Sequence, residues 1–552
     1  MAVPTAAPVP ETNRYRPPAL TGLDDLLDGP ARATPHATAL VVGGDRRPVS
    51  YGALAAVADD VAARLAAGGL RRGEPVALVC ANTAEFVVGL LGAARAGLVV
   101  SPMDPALPGA QLSARLDALG ARAVLLGPTA AGGATPAVRT AVPAWPLRVA
   151  VSGAGTATAA LDITAPPAPA GTGASGELSA GDALVLFTAG TTDRAKMVPL
   201  TRANAAASVR NICAAYELGP ADATVAVMPL FHGHGLFAAL LASLAGGGRV
   251  LLPERGRFSA RTFWGDVRAV SATWFTAVPT IHEILLDRAA TEYPGETGGA
   301  GDQEDGTDRK AAPLRFVRSC SAPLNTATQR ALERVLGAPL LSAYGMTESA
   351  HQAAGEPLPG RGPLKHGSVG RPTGVALRVL DRDGRPCPTG VPGEVWVQGP
   401  TVARGYLADP AETARSFVDG WLRTGDLGSL DEDGYLFLTG RIKNLINRGG
   451  EKIAPEHVED VLAGCPGVAE AAVFPVPDAH YGQRVGAAVV VRADARGGLP
   501  GGERADSEQI LRYCRDRLAA FEVPDRLEIV AALPHTAKGG LDRAAVEARY
   551  AH

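Results

Sequence analysis

Lys196 closes a short polar loop, Thr188-Ala189-Gly190-Thr191-Thr192-Asp193-Arg194-Ala195, that follows the apolar, β-prone run Leu184–Phe187. Thr188, Thr191 and Thr192 around Gly190 offer hydroxyls and backbone N–H groups to an anion, and the lysine adds a point charge suited to phosphate. The loop is not a Walker A sequence, because no glycine directly precedes Lys196 and no Ser or Thr follows it. Alone, it reads equally as a solvated turn between two strands. Downstream lie four more chemical stretches: Ser321-Ala322-Pro323, Tyr344-Gly345-Met346-Thr347-Glu348, Thr424-Gly425-Asp426 and Thr439-Gly440-Arg441-Ile442-Lys443. Each supplies something a nucleotide needs. A tyrosine face stacks on adenine, and a small-residue turn admits a base edge. Asp426 and Arg441 suit ribose hydroxyls, while Thr347 and Glu348 suit the α-phosphate and a Mg²⁺ that favours oxygen ligands. Singly, Asp426 also reads as a turn residue and Tyr344 as core.

A further pair, His232 and His234, stands at the mouth of the predicted strand Val225–Pro229. Two ligands alone make a poor metal site, so an anion or substrate role and simple helix-entry packing are the competing readings. Around these stretches the chain alternates strands with helices. Apolar runs predict strands at Ala39–Val42, Val76–Cys80, Leu98–Ser101, Ala123–Leu126, Met197–Leu200 and Leu314–Arg318, and a strand and turn over Thr273–Thr280. Helices are predicted at Leu23–Ala33, Tyr51–Ala67, Thr83–Ala96, Gln111–Leu119 and Ala203–Tyr216, the last capped by Thr201, with another starting at Ile281. Such alternation predicts an α/β fold with doubly wound, mostly parallel sheets. Residues 127–182, rich in Ala, Gly, Pro and Thr, read as a loose surface connection, and residues 291–313 as a mobile, solvated insertion.

At 552 residues the chain holds two or more domains with large cores. A formal net charge of -3 argues against a nucleic-acid surface as its main business. The cysteines at 80, 213, 320, 387, 465 and 514 show no CxxC spacing, so neither a disulfide framework nor a zinc site is expected, and a reducing cytoplasm is the expected compartment. Residues 1–18 show no secretory pattern, and Leu236–Ala245 is too short to span a bilayer, so no membrane role is expected.

Together and in this order the chemical stretches resemble the adenylate-forming superfamily of acyl-CoA synthetases, peptide-synthetase adenylation domains and luciferases, over roughly residues 20–545. The runs Met228-Pro229-Leu230-Phe231-His232, Arg318-Ser319-Cys320-Ser321-Ala322 and Leu445-Ile446-Asn447-Arg448-Gly449-Gly450-Glu451-Lys452-Ile453 look most like oxalyl-CoA synthetases. The resemblance implies a large N-terminal AMP-binding domain over residues 20–440 and a small mobile α+β lid over residues 442–552, with Lys443 at the hinge. It implies that a carboxylate attacks the α-phosphorus of MgATP, and that an acceptor, usually the CoA thiol, then displaces AMP. By this similarity Thr188, Gly190, Thr191, Thr192 and Lys196 form the phosphate loop and Tyr344 stacks on adenine beside Ser321, Ala322 and Pro323. Thr347 and Glu348 serve phosphate and Mg²⁺, Asp426 and Arg441 hold the ribose, and Gly449–Lys452 join the acceptor surface. His232, His234, Ser319, Ser321 and His351 lie on segments that face the reacting acid in the oxalyl-like branch, and histidines with hydroxyls suit a small polar anion better than a fatty tail.

Two regions depart from the family. In the phosphate loop Ala189, Asp193 and Ala195 replace Ser, Gly and Pro. Near the C-terminus the family's Pro-Lys-Thr-x-x-Gly-Lys signature ends in a lysine that reaches the reacting carboxylate and α-phosphate. Aligning Pro534, Thr536, Gly539 and Arg543 puts Gly540 at that position, with Lys538 two residues earlier and His535 as a second substitute cation. Without a replacement charge, adenylation should be slow. Three functions follow: a small-carboxylate:CoA ligase, oxalate leading; a recruited relative that activates nitrite with ATP to diazotise an aryl amine; and a catalytically impaired homologue.

Overall fold

Fully buried apolar strands flanked by small-residue helices build the N-terminal part of the chain. The structure, a computed structural model, describes residues 15–130, 141–188, 195–292, 314–491, 506–535 and 540–551. Its largest sheet has seven strands, in the order Ala157–Leu161, Ala144–Val151, Ala123–Leu126, Pro75–Val79, Val99–Met103, Asp182–Phe187 and Met197–Thr201. The central pairs are parallel, and an antiparallel hairpin forms each margin. Pro75–Val79, Val99–Met103 and Ala123–Leu126 are buried at every position, which is why they read as continuous apolar runs rather than alternating ones. Helices Tyr51–Ala67 and Ala84–Arg95 pack together, and a Cβ on Gly92 would lie 2.7 Å from Val61 Cγ1, so this glycine sets their approach. Thr201 caps Arg202–Tyr216 in a reciprocal capping box with Asn204, as the sequence predicts.

The second sheet carries the chemistry. Its order is Trp274–Ala277, Phe316–Ser319, Leu340–Met346, His351–Gly355 and Arg371–Pro372, with the first three parallel and the remaining pairings antiparallel. A smaller sheet runs Ala223–Val225, Arg249–Leu252, Thr38–Val42 and Arg47–Ser50. A third element, not foreseen from the sequence, is an antiparallel sheet of Ala376–Leu380, Gly393–Gln398 and Trp421–Leu430, with Phe417–Val418 and Leu436–Arg441 also paired to the last. The C-terminal part is α+β. Glu451–Ile453, Ile446–Arg448, Gly482–Val491, Val468–Asp478 and Arg526–Val530 form its sheet, and Ile446, Val458, Leu462, Val485, Val489 and Ile510 belong to its own core. The class is therefore the expected α/β fold of a large N-terminal and a small C-terminal domain.

Several boundaries differ from the sequence reading. Residues 127–182 are not a loose connection: among the described ones, Ala144–Val151 and Ala157–Leu161 form the hairpin at one sheet margin. Trp145 and Leu147 are buried there, an alternation hidden by the Ala, Pro and Thr around it. The first helix is only Asp28–Ala33, and Leu23, Leu26 and Leu27 are buried from turns instead. The strand before His232 ends at Val225, and the helix expected from Ile281 begins at Pro279, since a proline lacks the N–H that a first helical turn leaves unused. Of the segment 291–313, all but its first two residues lie outside the described residues.

Candidate active site

The hairpin of Asp182–Phe187 and Met197–Thr201 presents Lys196 at its open end, where Thr188 N donates to Lys196 O at 3.0 Å. Gly190, Thr191 and Thr192 lie outside the described residues. Lys196 Nζ meets Glu412 Oε1 at 2.6 Å and stands 4.8 Å from the centre of the Tyr406 ring. Tyr406 Oη donates to Glu348 Oε1 at 2.9 Å. Lys196 and Glu348 are thus joined through Tyr406, which, like Glu412, sequence reading missed. Glu412 is held by the helix Pro410–Ser416, whose N-cap Asp409 accepts from Glu412 N at 3.0 Å. Burial pushes the Glu412 carboxyl up, but the hydrogen bond and charge of Lys196 outweigh it and hold it below its ordinary value. Thr347 opens the short 3₁₀ turn Thr347–Ser349 and is half-buried beside Glu348.

A second group forms where Leu340–Met346 approaches the antiparallel sheet. Tyr344 Oη donates to Asp426 Oδ2 at 2.6 Å, and Arg441 Nε meets Asp426 Oδ1 at 2.6 Å. The strand register pairs Asp426 with Arg441 directly. Burial pushes the Asp426 carboxyl up, with Arg441 and Tyr344 opposing it, while burial and Asp426 hold the Tyr344 phenol well above its usual range. Lys443 follows two residues after Arg441 and is exposed; desolvation, Arg441 and Lys196 lower its pKa, with Asp426 opposing. The fields of Lys196, the Asp426–Arg441 pair and Lys443 therefore overlap. Ser321, Ala322 and Pro323 are exposed.

The third group is the most buried. His234 begins a π-helical segment, His234–Leu241, a winding that recurs at functional sites. His234 Nδ1 lies 3.0 Å from Ser321 Oγ, and its Nε2 2.6 Å from Thr276 Oγ1. The His234 ring stacks on His351 with centres 5.3 Å apart. Arg318 lies beneath both, fully buried, with Nη1 3.0 Å from Thr276 Oγ1 and Nη2 3.1 Å from His351 Nε2. Desolvation first, then the charge of Arg318, holds both imidazoles well below their ordinary pKa, so both are neutral. His351 has φ +87° and Ser321 φ +75°, left-handed values that place backbone strain at this group. A Cβ on Gly345 would sit 1.3 Å from His351 O, so glycine is required for the backbone to bring His351 in.

The other sequence candidates lie around this network, and the field of His232 reaches His234. Ser319 is buried, and its Oγ has no hydrogen-bond partner among the described residues. His232 packs edge-on to Phe231 at 4.6 Å between ring centres. His535 does not reach toward the site: its Nδ1 donates to Leu533 O at 2.9 Å, and its Nε2 lies 3.6 Å from Glu470 within the C-terminal domain. Lys538 is outside the described residues. Arg318, Thr276, Gln352 and Tyr216 were not singled out. The legible signal was a charged residue inside the apolar strand Phe316–Ser319.

A divalent cation fits here only with help from a substrate. Among the described residues no group of three or more His, Cys, Asp or Glu could hold a metal. Glu348 is buried, uses Oε1 for Tyr406, and has no partner for Oε2 among the described residues, which suits one protein carboxylate shared with phosphate oxygens. Among the described residues no helix is long and apolar enough to cross a membrane.

The fold is that of an ATP-dependent adenylate-forming ligase. The chain belongs to the AMP-binding enzyme family, which it matches over residues 27–407, and it matches the AMP-binding enzyme C-terminal domain over residues 457–539. It is 40% identical over 528 residues to an oxalate–CoA ligase of Arabidopsis thaliana, covering 94% of this chain and 97% of that protein. It is 36% identical to a sulfoacetate–CoA ligase of Cupriavidus necator, covering 96% and 98%. Its structure matches ATP-bound MatB from Rhodopseudomonas palustris with a TM-score of 0.76 at 28% identity, covering 96% and 99%.

Proposed function

We propose that this ligase activates a small anionic acid of the oxalate type and transfers it to CoA, releasing AMP and pyrophosphate. The observation that carries the reading is the His234, Ser321 and His351 group over buried Arg318, a polar, cationic wall unlike the apolar lining a fatty acid requires. In the first step a carboxylate oxygen attacks the α-phosphorus and pyrophosphate leaves. In the second the CoA thiol attacks the acyl carbon and AMP leaves. Catalysis at phosphorus is mainly positioning and charge neutralisation.

Lys196 would exchange its Glu412 partner for phosphate oxygens. Thr347 would reach the α-phosphate, while Tyr406 holds one oxygen of Glu348 and aims the other outward. Glu348 would hold Mg²⁺, which supplies charge neutralisation to the phosphates when bound. Asp426 and Arg441 would bind the ribose beside Tyr344. The domains would divide at residues 440–442, with Lys443 at the hinge and 442–552 as a lid that rotates between the steps. The glycine at 540 leaves Lys538 as the carboxylate-directed cation.

The test is a product assay by mass spectrometry: protein, MgATP and oxalate or other short acids, with and without CoA, and nitrite with an aryl amine in parallel. AMP with an oxalyl thioester is the expected result. AMP only with nitrite and amine, with a diazonium product, would replace the proposal with the diazotising chemistry. AMP from no arm would point to a catalytically impaired homologue and sink both.

A further inference from the structure

The guanidinium of Arg318 donates to four neutral groups: Tyr216 Oη at 3.2 Å, Thr276 Oγ1 at 3.0 Å, His351 Nε2 at 3.1 Å and Gln352 Oε1 at 2.9 Å. Among the described residues its side-chain partners are these uncharged groups and no carboxylate. A guanidinium stays charged even when buried, and burying a charge without a counter-ion is costly. Such a residue leaves positive potential in the wall of the pocket for an incoming anion to meet.

The directions of the hydrogen bonds follow from donor and acceptor chemistry. Arginine has no acceptor, so His351 Nε2 must accept, and the proton of the neutral ring sits on Nδ1. Thr276 Oγ1 accepts from Arg318, which leaves its own hydrogen for His234 Nε2 at 2.6 Å. The reverse polarity would bury the Thr276 hydrogen without an acceptor among the described residues, an expensive arrangement. His234 therefore also carries its proton on Nδ1 and donates it to Ser321 Oγ at 3.0 Å. Ser321 is exposed, so its hydroxyl hydrogen is free to turn outward. One row of donors runs from the buried cation to the exposed Ser321.

We propose that Arg318 is a positioning residue that sets acid specificity: it locks His234 and His351 as Nδ1–H tautomers, so the pocket offers only donors and selects acids whose second group is an acceptor-only anion. The specificity half rests on the acid–CoA ligase reading above; the tautomers do not.

The experiment uses the full chain labelled with ¹⁵N-histidine, its ten histidines assigned through His234→Gln and His351→Gln. In the wild type both rings should show a protonated Nδ1 and a bare Nε2. Thr276→Val should release His234 from the single tautomer and leave His351 in it; Arg318→Met should release both. In Thr276→Val the ratio of kcat/KM for oxalate over acetate should fall about tenfold, carried by KM, as for one lost hydrogen bond. A protonated Nε2 on either ring in the wild type would overturn the proposal, as would an unchanged ratio in Thr276→Val. Arg318 lies in the core, so if Arg318→Met does not fold, Thr276→Val still decides. A wild type that activates no acid would overturn the function reading and the specificity with it, while the spectra would still decide the tautomers.

Discussion

Asp426→Asn separates a structural role from a ribose-binding one. Asp426 accepts from Tyr344 Oη and Arg441 Nε, each at 2.6 Å. An asparagine keeps one acceptor oxygen, loses the other and loses the charge. The Arg441 side chain is 46% exposed, so water takes up its released guanidinium, whereas the Tyr344 hydroxyl is buried and should keep the remaining oxygen. The fold should therefore lose only about 1–2 kcal/mol, one charge-assisted hydrogen bond. If ribose hydroxyls donate to this carboxylate, nucleotide binding should lose a further ~2–4 kcal/mol, or about 30- to 1000-fold in Kd. Titration calorimetry with ATP and with 2′,3′-dideoxy-ATP tells the two effects apart. The wild type should prefer ATP strongly and Asp426→Asn should not. A variant that keeps the full preference for ATP would refute the ribose assignment, however much stability it had lost.

Stability should fall on both sides of a maximum between about pH 4.5 and 6.5. Burial lowers His282 from 6.5 to about 4, so the unfolded chain takes up that proton first and about 3 kcal/mol is lost as pH falls through this window. Burial raises Glu356 from 4.5 to about 8, so the native state holds that proton longer and stability is lost as pH rises through this window. Glu356→Gln should remove the alkaline loss in urea titrations at pH 8; an unchanged midpoint there would contradict it. Glu348→Gln keeps an acceptor for Tyr406, so melting should change little while ATP–pyrophosphate exchange falls at least ~10²-fold. Arg543→Met should leave the partly buried Glu459, 2.6 Å away, with Val473 N–H as its remaining partner and destabilise the C-terminal domain by about 1–3 kcal/mol, with Glu459→Leu in the same chain restoring much of it, as hydrogen exchange of Val468–Asp478 would report.

Local order was legible wherever the chain itself carried the signal. Tyr51–Ala67 and Ala123–Leu126 fall where the apolar spacing places them, and Thr201 caps its helix because a threonine three residues before an asparagine completes a local capping box. The hairpin of Ala144–Val151 and Ala157–Leu161 escaped because its partners are alanines and threonines whose burial depends on the helix Tyr51–Ala67 packed nearby. The antiparallel sheet after residue 376 escaped because its pairings join strands whose exposed faces lack a continuous apolar run.

The sequence by itself determined the family, the chemical type of each candidate residue and the glycine at 540, because these are properties of side chains in order along the chain. Only the tertiary structure decided which side chains meet. Lys196 finds Glu412 across 216 residues, Tyr344 finds Asp426 across 82, and Arg318 finds Thr276 across 42. Burial also decided the protonation of the pocket. Taken out of water beside a guanidinium that cannot give up its charge, His234 and His351 remain neutral, and a pattern that reads as loose histidines becomes a set of directed donors.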